Sequence, residues 1–288
     1  MTDGVHVWAM MGNGAIGCYD FAGNEKWKFD LQQRYGKYKI AFGMSSTPIL
    51  DGDKLYLQLF HTAYHLLIAL DKATGAEVWK HDRTSDARAE CEHSYASPTL
   101  YRDGKHEYLL AHGCDYVTAH NLKDGSELFR CGRLNAPGEK YNPTLRFVAS
   151  PVAAEGLIVV PSAKNGPVLG LKVNAKGNIT DTNDGHAWRM DDNTPDVPSP
   201  LVHDGLVYLC RENGVLRSRR DSVRLGSETR LAGGTIRSSL YAATDEARLP
   251  DAVVLQLTEI FSGDVDFHRE LRKALDPHGI LNPGKMFD

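Results

Sequence analysis

Over the first 216 residues, apolar positions fall into short runs that either alternate with polar ones or stay apolar throughout, the pattern of β-strands rather than helices. One full cycle runs from 45 to 81. Pro48 opens a strand at whose start a missing N–H is tolerated, and Asp51-Gly52-Asp53 turns the chain. Lys54-Leu55-Tyr56-Leu57-Gln58-Leu59-Phe60 alternates as a second strand. Leu66 to Leu70 is apolar at every position, which predicts a third strand buried on both faces. Thr74-Gly75 supplies a positive-φ turn before an outer strand, Glu77-Val78-Trp79-Lys80, whose indole packs against a neighbouring sheet.

The cycle repeats. Prolines at 48, 98, 151 and 200 follow a small residue and precede an apolar strand, at steps of 50, 53 and 49. A second series, offset from the first, carries Gly23, Gly75, Gly125 and Gly177 at steps of 52, 50 and 52. Four short strands per period joined by tight turns are the content of a propeller blade.

The segment Leu70 to Trp79 fits Leu-Asp-x-x-Thr-Gly-x-x-x-Trp, and with it residues 5–216 resemble the pyrroloquinoline-quinone-like (PQQ-like) propeller repeat. The match loosens where Phe129 replaces the tryptophan and where an insertion separates Gly177 from Trp188. The resemblance implies an all-β fold, a partial β-propeller of four-stranded antiparallel blades. Three blades are expected to be complete and two partial: residues 5–30 supply three strands, residues 197–216 only two.

After Leu216 the Leu-Asp and Thr-Gly landmarks stop, and Arg217 to Arg248 contains seven arginines and no lysine. Residues 217–250 therefore read as a solvated linker or a foreign join. In 251–288, Asp266 caps a short helix with Phe267, Leu271, Ala274 and Leu275 on one face, ended by Asp276-Pro277. The following run, with Asn282, Pro283, Gly284 and Lys285, resembles the extreme C-terminus of FAD-linked oxidases. In that family the tail packs beside a flavin held mainly by a separate domain, and nothing here resembles that domain. The chain thus reads as a fragment or fusion product.

A charged fraction of 24% against 42% apolar residues excludes wholesale disorder, and a net charge of -4 argues against a general nucleic-acid surface. No stretch approaches a membrane span, and Met1-Thr2-Asp3-Gly4 is not the start of a signal peptide. Compartment is left open; the parent family is periplasmic or extracellular. Five cysteines without a C-x-x-C pair predict buried free thiols rather than a zinc site or a disulfide framework.

Gly12-Asn13-Gly14-Ala15-Ile16-Gly17 fits the dinucleotide G-x-G-x-x-G, but Cys18 to Gly23 continue as strand and turn, so the glycines mark a hairpin. Glu90-Cys91-Glu92-His93 offers metal-type ligands without a second cluster, and reads as a hydrogen-bonded loop; no metal site is predicted. His61, His65, His112 and His120 are read as structural or solvated. Loops from one blade's outer strand to the next blade's inner strand converge on one side of a propeller, and here 31–44, 83–94, 132–147 and 190–197 are long. Tyr35, Arg88, Glu90, Glu92, His93, Lys140, Tyr141, Asn142 and Arg146 are the candidate contacts on that face for a protein or small-molecule ligand.

The expected function is a non-catalytic binding or scaffolding propeller, similar to exported PQQ-like repeat proteins, with no cofactor. The alternative is an oxidoreductase. Resemblance alone would bring PQQ, which the quinoprotein dehydrogenases hold against a vicinal cysteine pair and a calcium ion, or FAD through the tail. No two cysteines are adjacent here.

Overall fold

A computed structural model describes residues 1–154, 156–163, 166–192, 194–211, 215–220 and 233–235. The helix expected after Asp266, the tail motif at Asn282 to Lys285 and most of the linker lie outside these.

The described chain is almost wholly β. The first sheet is a three-stranded meander of β1 (His6–Met10), β2 (Ala15–Asp20) and β3 (Glu25–Asp30), and the glycine-rich run at 12–14 is the β1–β2 turn. A one-turn helix, α1 (Leu31–Tyr35), capped by the Asp30 carboxylate, leads away. The second sheet orders β4 (Ile49–Asp51), β5 (Lys54–His61), β6 (Tyr64–Asp71) and β7 (Glu77–Asp82). The third contains β8 (Thr99–Arg102), β9 (Glu107–Gly113), β10 (Tyr116–His120) and β11 (Glu127–Cys131). The fourth contains β12 (Val152–Ala154), β13 (Leu157–Val160), β14 (Val168–Lys172) and β16 (His186–Met190); β15 (Gly177–Asn178) instead pairs in parallel with β11. The fifth contains β17 (Leu201–His203), β18 (Leu206–Cys210), β19 (Val215–Arg220) and β20 (Gly233–Thr235).

The fifth sheet has four strands where two were expected, and pairing runs past Leu216 to Thr235. Ladder bonds are made by backbone groups and do not require the Thr-Gly landmark whose loss set the expected boundary.

Alternation along strands buried on both faces divides the core. Leu55, Leu57 and Leu59 of β5 with Leu66, Ile68 and Leu70 of β6 face the first sheet, packing on Trp8, Ile16 and Cys18. Their neighbours Tyr56, Phe60, Leu67 and Ala69 join Tyr108, Leu110 and Phe129 of the third sheet and Ile158 and Leu169 of the fourth. Leu157, Val159 and Trp188 pack on Val207 and Leu209 of the fifth.

Two devices lock the sheets together, each repeating at the sequence period. Before each proline, a backbone N–H donates to the serine hydroxyl of the next repeat: Thr47 to Ser97 Oγ at 2.9 Å, Ser97 to Ser150 Oγ at 2.9 Å, and Ser150 to Ser199 Oγ at 3.0 Å. Ser97→Ala should cost about 1 kcal/mol in urea unfolding, with Ser97→Thr restoring most of it; equal midpoints for all three proteins would deny the ladder its role.

The second device is an indole on a glycine. Trp27 Nε1 donates to Lys72 O at 2.9 Å and Trp79 Nε1 to Leu122 O at 3.0 Å, each in the next sheet. A Cβ at Gly75 or Gly125 would lie 2.8 Å from Trp27 Cε3 or 2.6 Å from Trp79 Cε3, so only glycine lets the rings seat. At Gly177 an added Cβ meets nothing within 4 Å: Phe129, in register with it, does not fill the place as tryptophan does. Gly23 has no described atom within 4 Å of that position either.

Candidate functional site

The loops between sheets meet. Residues 83–94 and 132–147 join by a parallel bridge, Ser94 to Phe147, and Tyr95 N–H donates to Phe147 O at 2.8 Å. Residues 31–44 reach the same place through Phe42, 67% exposed, whose ring lies 6.2 Å from Tyr95. The Arg146 guanidinium sits 4.9 Å over Phe42 and pairs with Glu90 at 3.3 Å, so one side chain ties three loops.

Beside this unit lies a cavity of about 550 Å³, bordered by Asp86 and Arg88, by Asp115 and Tyr116, by Arg133, Asn135 and Tyr141, and by Asn178, Thr180 and Asp181. The β9–β10 hairpin brings Asp115 there. Its two loop residues, Cys114 at φ 50° and Asp115 at φ 65°, both hold the left-handed conformation a two-residue hairpin needs, without the usual glycine.

Arg83, buried at 1% exposure, holds the tip by donating to Gly113 O at 2.7 Å and Tyr116 O at 3.2 Å, with its guanidinium 4.3 Å over Phe60. Burial lowers its pKa. Gly113 itself packs directly on the Ser94 side chain.

Tyr141 OH donates to Asp115 Oδ2 at 2.6 Å and accepts from Arg88 N–H at 2.9 Å. Burial raises the pKa of Asp115 despite that hydrogen bond, and burial followed by the Asp115 contact raises that of Tyr141. Tyr116 donates to Asp86 Oδ1 at 2.8 Å; burial, then Asp86, pushes its pKa up to about 12. Arg133 pairs with Asp181 at 3.0 Å.

Of the residues read from the sequence, Arg88 and Tyr141 share the cavity wall. Asn142 supports it from behind, its carbonyl accepting from Asn135 Nδ2 at 2.9 Å and from Cys91 Sγ at 3.1 Å. Glu90 and Arg146 form the neighbouring ion pair. His93 is buried, its Nε2 2.9 Å from Thr62 Oγ1, and burial lowers its pKa. The Glu92 carbonyl accepts from Cys114 Sγ and faces His65 Nε2, both at 3.3 Å. Lys140 stands exposed at the end of a 3-10 turn, Gly138–Lys140. Tyr35 packs with the first core, the Lys80 ammonium 5.7 Å over its ring, away from the cavity.

Asp115, Tyr116, Asn178 and Asp181 stand outside the loops between sheets, whereas Asp86 and Arg133 lie in those loops but carry no sequence signal that singles them out. The apolar runs on either side of Cys114-Asp115 mark a hairpin that opens on the same side, and that signal was available.

Residues 12–235 match the sequence model of the family described as outer membrane protein assembly factor BamB. The chain belongs to the BamB family. BamB from Moraxella catarrhalis superposes with a TM-score of 0.55 at 15% identity, over 82% of this chain and 69% of that one. Quinohemoprotein alcohol dehydrogenase from Comamonas testosteroni superposes with a TM-score of 0.52 at 14% identity, over 74% of this chain and 39% of that one. These likenesses establish a propeller fold for this BamB relative. Residues 257–286 match the C-terminal domain of FAD linked oxidases. No curated protein matches the chain.

The donor set does not suit a quinone held by paired cysteines and calcium. All five cysteines are free, and Cys91, Cys114 and Cys131 sit on separate elements. Burial raises all three, Cys114 and Cys131 to about 12, so they stay protonated. Among the described residues no group of three or more His, Cys, Asp or Glu is placed to hold a metal ion. No helix among them is long and apolar enough to cross a membrane.

Proposed function

We propose that the chain is a non-catalytic binding or scaffolding propeller that holds a segment of another polypeptide on the loop face between its second, third and fourth sheets. The observation that carries this reading is the Phe42–Arg146–Glu90 unit: three loops fixed to one another beneath an exposed aromatic ring. Aromatic and arginine side chains on rigid supports are the usual anchors of protein interfaces. The family's name, an assembly factor for outer membrane proteins, agrees with a protein partner and with action at the outer membrane or in the periplasm.

Each of the five sheets is read as one blade, the first without its inner strand. The blade array extends to Thr235, and the join to the oxidase-like tail falls between that residue and 257.

A second reading, an oxidoreductase, draws on the tail match and on the dehydrogenase likeness. The full chain, incubated with FAD or with PQQ plus calcium and then desalted, is expected to leave the column colourless. Retained quinone or flavin absorbance at stoichiometric level would overturn the binding-module reading.

A further inference from the structure

The cavity wall carries five charged side chains, Asp86, Arg88, Asp115, Arg133 and Asp181; four of them have a hydrogen-bond or ion-pair partner within the protein, although Asp115 Oδ1 has none. Asp181 pairs with Arg133, Asp86 accepts from Tyr116, and Asp115 accepts from Tyr141. Arg88 differs. Its guanidinium lies 4.3 Å over the Tyr141 ring, exposed, with no hydrogen bond or ion pair to any described residue.

The ring beneath it is not free to swing. Tyr141 OH is held by the Asp115 carboxylate and by the N–H of Arg88 itself, so guanidinium and ring share one fixed frame. A guanidinium held over an aromatic face keeps its N–H groups free for a two-pronged acceptor. Arg88 and Tyr141 also border the adjoining hollow of about 270 Å³, beside Gly138 and Pro143. Further donors stand on the same wall. Thr180 Oγ1 accepts from Gly132 N–H at 2.9 Å and keeps its own proton to give, and Asn178, whose Oδ1 accepts from Thr180 N–H at 3.1 Å, keeps its amide NH₂.

We propose that this cavity receives an acidic side chain, glutamate or aspartate, of the bound polypeptide, with Arg88 as its anchor. The inference rests on the binding-module reading and adds the chemistry of the partner: a carboxylate flanked by extended backbone whose amides meet the remaining polar groups of the wall.

The test is calorimetric titration of the full chain with acetyl-(Gly-Glu)₃-amide, against the same peptide with Gln or Lys in place of Glu. The glutamate peptide should bind about ten-fold more tightly than the glutamine one, and more weakly as salt is added. Arg88→Gln should remove that preference without shifting the urea midpoint, Arg88→Lys should keep part of it, and Lys105→Gln, exposed in the β8–β9 turn away from the cavity wall, should keep all of it.

Equal affinity for the Glu and Gln peptides, a preference for Lys, or unchanged binding by Arg88→Gln would each overturn the assignment. Failure here with a colourless protein in the desalting experiment would discard the acidic partner and leave the binding module standing. Retained chromophore would discard the module itself.

Discussion

Trp79→Ala is expected to lower stability by about 3–5 kcal/mol, the range for emptying a packed aromatic site. The loss has three parts: the ring's burial against Tyr56, its seat on Gly125, and the bond from Nε1 to the Leu122 carbonyl at 3.0 Å, which leaves that acceptor in a partly buried position. Urea unfolding followed by circular dichroism reads the shift. Gly125→Ala approaches the same contact from the other side, because its φ of 74° strains any side chain and the new methyl would lie 2.6 Å from Trp79 Cε3. Alone it should cost about 1–3 kcal/mol. With the indole already gone the clash disappears, so the double mutant should fall short of the sum by about 0.5–3 kcal/mol. Strict additivity would show that the two residues do not act through each other.

The second large effect is acid instability. Burial holds His61, His65 and His120 down to about 4 and His112 to about 3, from 6.5 when unfolded, with the Arg83 charge adding to the depression at His65, His112 and His120. Each imidazole is therefore neutral in the folded protein over a range where the unfolded chain binds a proton. Stability is full above pH 6.5 and falls as the pH drops toward 4, levelling where the folded rings themselves take up protons. Between pH 6.5 and pH 4 one such histidine contributes about 3 kcal/mol, and two acting together remove about as much as many domains possess. The urea midpoint measured from pH 8 to pH 4 should fall steeply below 6.5, and His112→Leu should make the fall shallower. A flat profile over that window would mean the rings are solvated.

Much of the fold was legible because its repeating contacts are made by a few residue types at fixed spacing. A proline preceded by a hydroxyl residue marks each rung of the Thr47–Ser97–Ser150–Ser199 ladder, and glycines at 75 and 125 are the places where the indoles of Trp27 and Trp79 seat. Legibility ended where backbone bonding alone decides. The strands at Val215–Arg220 and Gly233–Thr235 pair without any landmark, and the two-residue strand Gly177–Asn178 leaves its own repeat to pair with the preceding sheet. Of the site, Arg88 and Tyr141 followed from where the loops must converge. Asp115 did not, since its place depends on a strained turn clamped by Arg83, a residue whose type predicts exposure rather than the 1% observed.

Gly75 and Gly125 each receive the indole of the preceding sheet, so one coupling is used twice between neighbouring sheets. A protein assembled from such recurring couplings distributes its stability over the contacts between neighbouring units. Units can be gained or trimmed by recombination without redesigning a core, provided each newcomer brings an indole on its outermost strand.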